Sequence, residues 1–129
     1  MCNIHFDEQA VRCATAKRAQ AENVSLYQVD PARIYRDLYD GQPIGGIKLY
    51  FIHGIKNAMV KEAIREAFLQ RVKQEHRDLN QISEWSVAEE VLGACRTSKP
   101  ESEYWQAVSV AQGVMYDMMI EEAQATRAE

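Results

Sequence analysis

The sequence predicts an all-α fold, a single-domain bundle of about five to six helices that ends in a long C-terminal helix. Three observations predict it. Helix start signals recur along the chain, and apolar residues repeat at three and four between Met59 and Val72. Tyr104, Val108, Ala111, Met115, Met118 and Glu122 follow a 4-3-4-3-4 spacing that lines them along one stripe. At 129 residues the chain is long enough for one ordinary domain, and neither an internal repeat nor a linker rich in Pro, Gly or Ser is evident in it. The alternative is a mostly helical fold with a minor two-stranded β element formed by 24–29 and 47–52.

The first helix starts at Asp7, an N-cap with Phe6 before it and Val11 placed as its hydrophobic staple, and runs to about Ala21. Its inner face is Ala10, Val11, Ala14 and Ala21, so it buries little area and needs close approach to a neighbour. Val29-Asp30-Pro31 repeats the start signal: Asp30 caps, Pro31 suits the first helical position and Val29 staples to Ile34, with Gly41 as the stop. Gly41 to Gly46 reads as a loop. Leu49, Tyr50, Phe51 and Ile52 suit a buried strand and a buried helix equally well, and the helical surroundings favour helix. After Gly54 the period is clear through Met59, Val60, Ala63, Ile64, Ala67, Phe68 and Val72, giving an amphipathic helix to about Arg77. Ser83 caps the next helix, with Ile82 stapling to Val87 and Ser86 with Glu89 as a rival capping box, and its end falls near Arg96. Ser98 with Glu101, and Pro100 in the first turn, open the last helix. Running to about Thr126, its ~26 residues span on the order of 39 Å.

With 47% hydrophobic and 26% charged residues, the composition is that of a globular protein rather than a disordered tail. The strongest apolar run, Ile47 to Ile55, is broken by Lys48, His53 and Gly54 and falls far short of the ~20 residues a membrane span needs. No membrane association is expected. The opening Met-Cys-Asn-Ile-His lacks the basic stretch and apolar core of a secretory signal, and Cys2, Cys13 and Cys95 are widely spaced. Both observations point to a cytoplasmic protein with reduced thiols.

No catalytic, cofactor or metal motif stands out, so no enzymatic activity, cofactor or metal ion is expected. Cys2 is the nucleophile to weigh, because removal of Met1 would place it beside its own α-amino base. His5, His53 and His76 lie far apart in the chain, outside any His-Glu-x-x-His or Cys-x-x-Cys pattern. The loop from Gly41 to Gly46 lacks the Gly-Lys-Ser/Thr ending of a phosphate cradle. Ser86 to Ala107 offers a helix-turn-helix pattern, but its second helix opens with Glu101 and Glu103, which phosphates repel. A nucleic-acid-binding regulator built on that corner, or on Lys48, Lys56, Lys61, Arg65, Arg71, Lys73 and Arg77, is the second functional reading.

The charge distribution carries the first reading. Residues 1–77 hold twelve Lys/Arg against nine Asp/Glu and residues 78–129 three against ten, so charges of +3 and −7 make up the net −4. Such a split points to a charged partner, a second copy, or the chain's own other half. The expected function is macromolecular binding, as a protein-binding adaptor, inhibitor or regulatory subunit whose partner is a protein with a basic surface. Competition with nucleic acid for that partner is a special case, and a homodimer is allowed. The expected contact residues are Glu89, Glu90, Glu101, Glu103, Asp117, Glu121 and Glu122 on the acidic side. Tyr35, Arg36 and Tyr39 join them, a Tyr/Arg mixture of the kind favoured at interface centres. Met115, Met118 and Met119 with Tyr104 and Trp105 are expected in the core.

Overall fold

The computed structural model describes residues 8–40, 42, 43, 45–97 and 101–128. Cys2, His5, Phe6, Asp7, Gly41, Ser98 and Pro100, and the expectations placed on them, lie outside these residues. The described residues form five α-helices, α1 (Glu8–Glu22), α2 (Pro31–Leu38), α3 (Gly46–Glu75), α4 (Glu84–Leu92) and α5 (Ser102–Ala128), with 3-10 turns at Leu26–Gln28 and Leu79–Gln81. The fold is an all-α bundle, and no strand occurs among the described residues. The segment 24–29 becomes the first 3-10 turn, and 47–52 becomes the start of α3. Two compact units divide the chain, Met1–Val60 and Lys61–Glu129, and their boundary falls inside α3.

In the first unit, Asp30 caps α2 as expected: its carboxylate accepts from the Ala32 N–H at 2.9 Å, and Pro31 takes the position whose missing N–H costs nothing. Val29 and Ile34 are both buried, joined in one core by Val11, Ala19, Tyr35 and Ile52. The inner face of α1 differs from the expectation at one end, since Ala21 is exposed and Val11, Thr15 and Ala19 form the buried line. Thr15 is admitted there because its hydroxyl donates to the Val11 carbonyl at 2.7 Å, leaving no unsatisfied polar atom. The Tyr35 hydroxyl donates to the Pro43 carbonyl at 2.9 Å and accepts from the Gly45 N–H at 3.1 Å, pinning the loop before α3.

α3 runs unbroken for 30 residues, through Gly54. A glycine in a helix interior costs about 1 kcal/mol relative to alanine but leaves the backbone ladder intact. Ile52, Lys56, Val60, Ile64 and Phe68 are its buried residues, each four apart. Every such step advances about 40° around the helix, so the buried line drifts rather than following one edge. In the second unit Ser83 caps α4, its hydroxyl accepting from the Ser86 N–H at 3.2 Å, and Ile82 and Val87 are buried as the staple requires. α4 stops at Leu92, short of Arg96, because Gly93 takes the left-handed conformation at φ 70°. Along α5, Tyr104, Val108, Ala111, Met115 and Met118 are buried as one stripe.

The two units repeat one local design, 53 residues apart. α1 and the second half of α3 end at Glu22 and Glu75 and are followed by Asn23 and His76, both left-handed at φ 55° and 53°. Next come 3-10 turns with matching capping boxes, in which Gln28 and Gln81 accept from the backbone N–H of Ser25 at 3.0 Å and of Asp78 at 3.1 Å. Val29 and Ile82 close the turns, and Asp30 and Ser83 cap the next helices. Arg18 pairs with Asp37, as Arg71 pairs with Glu90. Between 8–40 and 61–93 only Ala10, Arg12, Ala14, Arg18, Glu22, Leu26 and Gln28 recur as the same residue, at Ala63, Arg65, Ala67, Arg71, Glu75, Leu79 and Gln81. The absence of a repeat expected from sequence is therefore corrected: roles recur where identities do not.

Candidate protein-binding surface

The expected acidic residues are all exposed, but they do not form one patch. Glu89 and Glu90 lie on α4, Glu101 precedes α5 and Glu103 opens it, while Asp117, Glu121 and Glu122 lie some three turns or more further along the same helix. Three of them are held by arginines of their own unit: Glu89 by Arg96 at 3.1 Å, Glu90 by Arg71 and Glu121 by Arg65. The charge contrast seen along the sequence thus closes partly on itself. The second unit contains eight Lys/Arg against thirteen Asp/Glu, a net −5, and the first seven against six, a net +1. Among the described residues, Glu101, Glu103, Asp117 and Glu122 form no ion pair.

Tyr35 offers no surface, being 2% exposed with its hydroxyl engaged on both sides. Arg36 is exposed, and Tyr39 is half-buried, its ring tilted by 50° against that of Tyr35 at 5.0 Å, with the Lys48 ammonium 4.5 Å above its own. Of the apolar run opening α3, only Ile52 is fully buried. Tyr50 is 75% exposed, with Ile47 and Phe51 also at the surface. A cleft of about 360 Å³ lies beside them, lined by Asp30, Pro31, Ala32, Leu49, Tyr50 and His53. Lys56 is buried within that unit, 5.9 Å from the Tyr27 ring; burial lowers its pKa from the ordinary value, with Asp30 opposing.

The corner between α4 and α5 holds what sequence reading missed. Trp105 was expected in the core, but it is 49% exposed, because the buried stripe of α5 passes through Tyr104 and turns Trp105 outward. Trp85, in the first turn of α4, meets it edge to face with ring centroids 5.3 Å apart. Arg96, on the connection, lays its guanidinium over Trp85 at 5.8 Å and donates from Nε to Tyr104 Oη at 3.2 Å; that hydroxyl donates in turn to Glu89 at 3.2 Å. The bond to Tyr104, followed by the proximity of Tyr104 and Glu89, raises the Arg96 pKa above its ordinary value, and a guanidinium is a cation throughout the physiological range in any case. Trp85, Arg96, Glu101, Tyr104 and Trp105 enclose a cleft of about 240 Å³. A sequence signal existed in hindsight: the chain's two tryptophans fall on adjoining helices at the corner the acidic residues flank.

Among the described residues no group of His, Cys, Asp or Glu is arranged to hold a metal ion, and no helix is long and apolar enough to cross a membrane. No protein-family model matches the chain, and comparison with curated proteins and with solved structures finds no match either.

Proposed function

We propose that the protein acts by binding another protein that presents a basic surface, as an adaptor, inhibitor or regulatory subunit, and that the α4–α5 corner is its contact. The observation that carries this reading is the pair of exposed tryptophans flanked by carboxylates. The two rings form a contiguous aromatic pair at the surface, and tryptophan is among the residues enriched where binding energy concentrates. The net charge of −5 on this unit would steer a basic partner toward the corner. Competition with nucleic acid for that partner is a special case of the same reading.

Direct nucleic-acid binding by this corner has less behind it. A helix-turn-helix joins its helices by three or four residues, whereas nine residues, 93–101, separate α4 from α5, and Glu101 and Glu103 head the second helix. The test is capture of the partner from the source cell, followed by titration across ionic strength. The affinity should fall steeply between about 0.05 M and 0.5 M salt, as exposed charges are screened. A flat response, or capture of nucleic acid alone, overturns the reading.

A further inference from the structure

The Trp85–Trp105 cleft allows a narrower statement about its ligand, one that rests on the protein-partner reading above. The internal repeat supplies a control within the molecule. At the position equivalent to Trp85, two residues past the helix cap in each unit, the first unit has Ala32, and it forms its core of Val11, Val29, Ile34, Tyr35 and Ile52 without an aromatic there. The local design does not demand a tryptophan there, so Trp85 at the surface beside Trp105 calls for another cause.

What the cleft already holds indicates what it suits. The Arg96 guanidinium stands over the Trp85 face and bonds to Glu89 and Tyr104, while Glu101 adds a second carboxylate at the rim and Trp105 an apolar wall. A planar, weakly hydrated cation on an aliphatic stem gains from each of these features: the π face, the carboxylates and the apolar wall. A lysine ammonium, compact and strongly hydrated, gains less. Arg96 keeps two-thirds of its side chain in solvent despite these contacts, so an incoming side chain can reach the same partners. We propose that this cleft binds an arginine side chain displayed by the basic partner, and that Arg96 is the resident guanidinium which the incoming one replaces.

Because both tryptophans of the chain line the cleft, intrinsic fluorescence of the full-length protein reports its occupancy without a label. Two short peptides of equal length and charge, one carrying arginines and the other lysines, are titrated at low salt, with calorimetry for the variants. The arginine peptide should bind about tenfold tighter. Trp85→Ala should cost about tenfold of that affinity, and Glu101→Gln several-fold. Arg96→Ala should instead tighten binding several-fold, because a tethered competitor has gone. These positions are partly or fully exposed, and circular dichroism checks that each variant keeps its helices. Equal affinity for both peptides overturns the arginine cleft and leaves the basic-partner reading standing. Weaker binding by Arg96→Ala also overturns it, since Arg96 would then belong to the contact. Failure of both peptides to bind overturns the two readings together.

Discussion

At the scale of single residues, Lys56 is the position where the first unit departs most clearly from what its fold prefers. It is 7% exposed, a lysine in a buried line otherwise made of Ile52, Val60, Ile64 and Phe68. Burial lowers its pKa, so between that lowered value and the ordinary 10.5 the unfolded chain binds more protons than the folded one. Its cost to stability is therefore full at neutral pH and fades as pH rises toward 10.5. Lys56→Met, which keeps the stem and removes the charge, should raise stability at pH 7 by about 1 kcal/mol. In urea denaturation the gain over wild type should shrink by pH 10, and a gain that grew with pH would refute this account. Neither Lys56 nor Trp105 could be placed from sequence. Each follows an apolar or aromatic neighbour in a helix, and only packing decides which of two adjacent positions turns inward.

At the scale of elements, the legible parts were those whose cause is local. Asp30-Pro31 and Ile82-Ser83 announce α2 and α4 because a cap and a staple act within five residues, and the structure contains both caps. The stripe of α5 was legible because it runs straight for four turns. The opening of α3 was legible as helix only from its surroundings, since Leu49, Tyr50, Phe51 and Ile52 form a run without a period, of which only Ile52 is fully buried. Gly54 helped to hide the helix by suggesting a break. A β-carbon added there would meet no atom within 4 Å. Gly54→Ala should therefore stabilise the protein by about 0.5–1 kcal/mol, measured by thermal and urea unfolding. A loss of stability would show that the position has a packing partner and that the helix needs the missing side chain.

At the scale of the whole molecule, the repeat escaped sequence reading because it keeps the roles of its capping, core-closing and ion-pair positions rather than their identities. Ser25 and Asp78 both cap, Val29 and Ile82 both fill the core, and Asp37 and Glu90 both answer an arginine nineteen residues earlier. The place where the two copies meet, Val60–Lys61, lies within one continuous helix rather than in a loop. A helix has no turn to respect, so such a joint can be cut and spliced without redesigning a connection. A chain in which residues 8–60 are inserted once more between Val60 and Lys61 meets helical backbone on both sides of each seam. Its helical circular dichroism per residue should match that of the parent and its unfolding midpoint should not fall; a drop in either would show that the seam carries constraints beyond helical continuity. Read this way, α3 is less a long strut than a hyphen, the mark at which a module of 53 residues can be added to the chain or removed from it.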